Sequence, residues 1–232
     1  MKHQVDREYP DLDQFLIDPL LEAVCSERAP SKLESETHYK ARLKAQMHEA
    51  FEIFQKRLQK GVQILRQENL LPAALEGETF LNFLRDREKI AEDLKKGVAL
   101  QETLQITDEE MLLCYQEGEK KYHHHAYREA SDVFLVLCQL NPKVSGFWAA
   151  FGSAEEKCGD IESALRAYIL AAELDSESLT AYVQAANCLL ELKQVEKARA
   201  LLELALKRAV ENPLLAATQP LVEKMLKEIS KE

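Results

Sequence analysis

The sequence predicts an all-α protein whose second half is a helical repeat. Three observations carry that expectation. Gly and Pro are scarce, 7 each in 232 residues, whereas a sandwich or barrel needs them at its frequent turns. Long stretches, 31–71, 73–141 and 143–212, contain no proline and carry apolar residues at helical spacing. Small and large residues also return at a fixed step of 34 through the second half. Such a step marks stacked units that cannot each bury a core alone.

Residues 1–32 are polar apart from Phe15-Leu16-Ile17 and Leu20-Leu21, which predicts a poorly ordered segment with one short helix. The polar start shows no secretory leader. The longest strongly apolar run, Val133 to Cys138, is too short to span a bilayer. A soluble, cytoplasmic protein is expected, with no membrane insertion. Residues 33–105 are expected to form a helical extension. Within it Leu43, Met47, Phe51, Phe54, Leu58, Val62 and Leu65 make one apolar stripe on a long amphipathic helix. Gly61 should weaken that helix by up to ~1 kcal/mol relative to Ala. The stripe needs a partner. Residues 74–104, with Phe80, Leu81, Leu84, Ile90, Leu94 and Leu100, are preferred; a second copy of the chain, giving a homodimer through this region, is the other choice.

At Thr107-Asp108-Glu109-Glu110 the spacing predicts a helix start, with Thr107 capping and Glu110 three residues on. Beyond it the repeat is in register. Gly118, Gly152 and Ala186 are 34 apart, as are Ala130, Ala164 and Ala198, and Phe134, Tyr168 and Leu202. Leu137, Ala171 and Ala205 follow the same step, and Trp148 is matched by Tyr182. These residues resemble the tetratricopeptide repeat. The predicted fold is therefore all-α, with three tetratricopeptide repeats at 111–144, 145–178 and 179–212. A capping helix over 213–230 completes a repeat domain at 106–232, and the helical extension precedes it. Small residues let paired helices approach; large ones fill the gaps between successive turns of the array. Lys193 and Val210 depart from the turn Gly and the Pro of the pattern, and Cys114 and Glu117 replace large residues in the first repeat.

Function classes fall away on charge and motif. The formal net charge is −10, with Lys+Arg 30 against Asp+Glu 40, which disfavours nucleic acid. Five cysteines, at 25, 114, 138, 158 and 188, include no C-x-x-C pair and read as apolar core thiols in a reducing compartment. No phosphate-binding, dinucleotide, zinc-protease or nucleophile-elbow motif occurs. Consecutive His123-His124-His125 would point about 100° apart on a helix and cannot converge on one ion, so they read as an inter-helix turn. Glu109-Glu110 and Glu155-Glu156 diverge likewise and read as solvated. No enzyme, cofactor or metal is expected.

What remains is a binding groove lined by the first helix of each repeat. Leu112, Tyr115, Glu119 and Tyr122 are its expected residues in the first repeat, Ala149, Ala150 and Ser153 in the second, and Val183 and Asn187 in the third. Aromatics, small residues and carboxylates suit an extended, partly apolar peptide rather than a C-terminal carboxylate.

Ile106 to Tyr115, then Tyr122, Ala126-Tyr127, Ala130, Phe134, Leu137-Cys138 and Leu140 resemble the class II type III secretion chaperones. Phe147-Trp148-x-x-x-Gly152 and Ala185-Ala186-x-Cys188-Leu189-Leu190 strengthen the likeness, which covers roughly 106–212. It implies a cytoplasmic bacterial chaperone that holds a hydrophobic translocator in the groove. The family's groove aromatics carry over to Tyr115 and Tyr122; a third falls at Glu119. The extension before residue 106 is long for the family, and with its Gln-rich helix resembles the chlamydial members. A generic tetratricopeptide adaptor for a soluble partner is the alternative.

Overall fold

The computed structural model describes residues 36–76, 92–93, 96–175, 179–211 and 219–229. Its helices are α1 (Glu36–Gln67), α2 (Leu100–Thr103), α3 (Asp108–His123), α4 (Tyr127–Leu140), α5 (Ser145–Lys157), α6 (Ile161–Leu174), α7 (Leu179–Glu191), α8 (Val195–Glu211) and α9 (Gln219–Ile229). No strand occurs among the described residues, in keeping with the all-α expectation. The short N-terminal helix, Cys25, most of the apolar residues proposed at 74–104 and the start of the capping helix lie outside the described residues.

From α3 to α9 each helix packs on the next in the chain. The second helices of the three pairs start at residues 127, 161 and 195, a step of 34 each time. The turns before them repeat as closely. His125, Gly159 and Lys193 are all left-handed, with φ of 63°, 82° and 59°. The next residue donates its N–H back to the first helix each time: Ala126 to Lys121 O at 2.9 Å, Asp160 to Glu155 O at 3.0 Å and Gln194 to Leu189 O at 2.8 Å. Only Gly159 adopts that conformation without steric cost. The three histidines thus form a helix end and turn, with His125 Nδ1 2.6 Å from the Tyr127 hydroxyl. The first pair starts at Asp108 because Thr107 and Glu110 form a reciprocal capping box. The Thr107 hydroxyl accepts from Glu110 N at 3.2 Å, and Glu110 Oε2 accepts from Thr107 N at 2.9 Å.

Inside each pair a small residue meets a large one. A methyl added at Gly118 would strike the Phe134 ring, and one at Gly152 would lie 3.0 Å from the Tyr168 ring. In the third pair the small residue is Ala186, and its large counterpart shrinks to Leu202, both fully buried in one core cluster. Ala164 is fully buried beside Tyr168, Ala185 and Cys188. Val222 and Ile229 of α9 extend the core of the third pair.

Glu155 is not the solvated carboxylate its neighbour Glu156 suggested. It is fully buried, pairs with Arg128 Nη1 at 3.1 Å and accepts from the Ser131 hydroxyl. It lies four residues after Phe151, on the buried face of α5, and burial is tolerated because charge and hydrogen bond come from α4.

The chain divides into two compact units, Met1–Arg57 and Leu58–Glu232. The expected boundary near 105 does not coincide with this one. Residues 58–67 of α1 belong to the unit that holds the repeats. There Gly61 is a close approach: a methyl on it would strike the Asp132 carbonyl and Val136 of α4. Leu65 is fully buried, the Cys114 thiol donates to Leu70 O at 3.3 Å, and Glu68 meets Lys120 at 3.6 Å and Lys121 at 3.7 Å. The helical penalty of Gly61 is therefore offset by helix packing. In the first unit Leu43, Met47, Phe51 and Phe54 of the stripe are half-buried.

Two outcomes test this packing. Gly118→Ala should cost ~1–3 kcal/mol by overpacking, and Phe134→Leu should cost stability by opening a cavity. Combined, they recreate the Ala186/Leu202 pair, so the double variant should exceed the sum of the singles by ~1 kcal/mol or more in urea unfolding. Strict additivity would show that the two side chains do not meet. Lys193→Gly should raise stability by up to ~1 kcal/mol by relieving the left-handed turn, while Lys193→Ala should not.

Candidate peptide-binding groove

Helical spacing puts Tyr115, Glu119, Tyr122 and His123 on one face of α3, at i, i+4, i+7 and i+8. On α5 the small residues Ala150 and Ser153 stand one turn apart. Between these faces lies a cavity of about 200 Å³, lined by Tyr115, Glu119, Tyr122, His123, Phe134, Ala150 and Ser153. Five of its residues are ones the sequence singled out. Phe134 comes from α4 and is 2% exposed; its repeat position marked it as a gap filler, which hid its second role as the wall of a cavity.

The aromatic rings are held by one another. Tyr115 lies 5.5 Å from the Phe134 ring and 6.0 Å from that of Phe147. Tyr122 meets Tyr127 edge-on at 5.1 Å. Further along, the Tyr168 hydroxyl donates to Glu156 Oε2 at 2.9 Å and lies 3.1 Å from Ser153 Oγ. Burial is the first cause holding the Tyr115 hydroxyl above its ordinary pKa, followed by the charge of Glu119 and a hydrogen bond to it. Burial also leads for Tyr122, Tyr168 and Tyr182.

The other expected groove residues separate. Leu112 is 53% exposed and does not line the cavity. Ala149 packs against the core of the third pair. Val183 is 7% exposed and buried in that same core. Asn187 is exposed and donates to Gln184 Oε1 at 3.3 Å. A second, more open apolar hollow of about 470 Å³ lies between α6 and α8, with Leu165, Ile169, Leu201 and Leu204 in its lining. The sequence reading missed it, since the register predicts only the inner face of each second helix. Among the described residues no group of three or more His, Cys, Asp or Glu could hold a metal ion. No described helix is long and apolar enough to cross a membrane.

Comparison with known proteins agrees with the repeat fold. A family model described as tetratricopeptide repeat matches residues 158–219. The low calcium response locus protein H of Yersinia pseudotuberculosis serotype I (strain IP32953) is 26% identical over 136 residues, covering 59% of this chain and 81% of the relative. A type III secretion system complex from Aeromonas hydrophila is similar in structure, with a TM-score of 0.58 and 25% identity, over 62% of this chain and 96% of that one. The Yersinia enterocolitica type III secretion chaperone SycD, solved in complex with a peptide of the translocator YopD, gives a TM-score of 0.50 and 26% identity. That match covers 55% of this chain and 98% of SycD.

The raised tyrosines and thiols set an alkaline limit on stability. An acid whose pKa is raised on folding keeps its proton in the native state after the unfolded chain has released it. Its contribution is complete below the unfolded value and lost as pH rises through the folded one. The thiols of Cys114 and Cys188 move from 9.0 to about 11, and the tyrosines rise above 10.0. Stability should therefore begin to fall near pH 9 and fall faster past pH 10. Urea midpoints measured against pH, beside tyrosinate absorbance, check this. Ordinary tyrosine titration in the native state would contradict the burial described.

Proposed function

We propose that this chain, which belongs to the class II type III secretion chaperones, holds a hydrophobic translocator in its repeat groove and keeps it soluble and secretion-competent. The observation that carries the reading is the aromatic-walled cavity between α3 and α5, on a scaffold similar to SycD bound to a translocator peptide. Tyr115 and Tyr122 line it, Phe134 closes the wall, and Ala150 and Ser153 leave room for side chains of an extended segment. Leu112, Glu119, Ala149, Val183 and Asn187 complete the proposed groove surface, with Ala149 and Val183 acting from beneath it through packing.

A translocator must carry apolar segments able to enter a membrane. Free in the bacterial cytoplasm, where this reading locates the chain, such segments would associate with one another. An acidic partner with net charge −10 covers them and adds mutual repulsion between complexes. The role is one of holding, without catalysis or cofactor. A generic adaptor for a soluble folded partner fits less well, because a cavity of about 200 Å³ walled by aromatics suits single side chains rather than a broad folded surface. The reading includes a homodimer through the N-terminal region. Its support is the stripe of α1, half-buried at Leu43, Met47, Phe51 and Phe54, next to Ile53 at 53% exposure.

Truncating two aromatic anchors should cost ~1–4 kcal/mol of binding each. The Tyr115→Ala/Tyr122→Ala variant should remain helical by far-UV circular dichroism yet recover little of a coexpressed translocator in pull-downs. Full recovery would refute the groove, and loss of the folded state would return both tyrosines to a packing role.

A further inference from the structure

The cavity between α3 and α5 is not purely apolar, and its one exposed carboxylate sits among rings. Glu119 lines it together with Tyr115 and Tyr122, and its charge bears on the Tyr115 hydroxyl. Among the described residues Glu119 forms no ion pair. The adjacent lysines point elsewhere. Lys120 lies 3.0 Å from Glu117, and Lys121 lies 3.1 Å from Glu129. On the facing helix Glu156 adds a second carboxylate, bonded to the Tyr168 hydroxyl. Lys157 is the cation whose field reaches Tyr122.

A carboxylate lining a cavity beside two tyrosine rings is poorly matched to an aliphatic guest. Burying Glu119 under a Leu or Val would strip its water and supply no cation, leaving it the neutral hydrogen bond of Tyr115. A Lys or Arg side chain satisfies every group at once. Its stem covers the rings, its head lies over their negative faces, and its N–H groups donate to Glu119 in a charge-assisted bond. We infer that this cavity is a subsite for a basic side chain, so the client segment carries a Lys or Arg beside its apolar anchors. This rests on the groove reading and adds a charge requirement to it. It also supplies discrimination: a segment with Asp or Glu at that position is repelled, and one with an aliphatic residue leaves the Glu119 charge buried without a cation.

The test uses full-length protein and a positional-scanning library of extended decapeptides, each position fixed in turn as Lys, Arg, Leu or Glu. Wild type should favour Lys or Arg over Leu by roughly tenfold at one position, next to positions that favour apolar residues. Glu119→Gln should keep the apolar preferences and lose the basic one. Glu119→Lys should turn it towards Glu. Both variants should melt like wild type, since Glu119 is exposed. Apolar preferences with no basic position in wild type would overturn the subsite and leave the groove standing. A basic preference that survives Glu119→Gln would overturn it as well. A library that binds neither wild type nor the Tyr115→Ala/Tyr122→Ala variant would overturn the groove reading and the subsite together.

Discussion

The contact on which everything else depends is the meeting of a small residue with a large one sixteen positions later, at 118 and 134, 152 and 168, and 186 and 202. It sets how closely the two helices of a pair approach. Gly against Phe or Tyr and Ala against Leu are two ways of filling one space, and neither partner can change alone without strain or void. Because the contact recurs at a step of 34, each pair presents its neighbour with the same surface. The stack then follows from the unit.

That contact also builds the groove. Gly118 brings Phe134 so near α3 that the ring reaches through to wall the cavity beside Tyr115 and Tyr122. In the second pair the larger Tyr168 reaches the groove side with its hydroxyl, bonding Ser153 and Glu156. The same positions that close the core thus supply the polarity and shape of the binding face. Hydrophobic burial holds the rings rigid, so a guest need not order them, and rigid anchors lose little entropy on binding.

The helical class and the repeat step were legible because they are periodic, and periodic signals survive in a single sequence. Tyr115, Glu119, Tyr122, Ala150 and Ser153 were legible for the same reason, since spacing fixes the face of a helix. The burial of Val183 was not legible, because spacing along one helix does not say how closely neighbouring helices cover it. Glu155 was misread because its partners Arg128 and Ser131 are distant in sequence and belong to no motif. Gly61 was read as a local cost; its reason, the α4 backbone, lies far along the chain. Left-handed His125 and Lys193 were obscured by residue type, for only Gly159 announces the turn.

A repeat array has two open ends, each exposing an apolar face that its next neighbour would cover. Here the ends are treated differently. At the C-terminal end α9 inserts Val222 and Ile229 into the core of the last pair, as a further helix of the stack would. At the other end the cover comes from the segment before the repeats. Residues 58–71 lie across the first pair, with Gly61 on α4, Leu65 buried and the Leu70 carbonyl bonded to Cys114. Glu68 fastens this cover through lysines already bound to Glu117. That arrangement engages Lys120 and Lys121 of α3, and among the described residues Glu119, just before them, forms no ion pair. The lysines beside Glu119 are therefore engaged by the way the chain closes its own end.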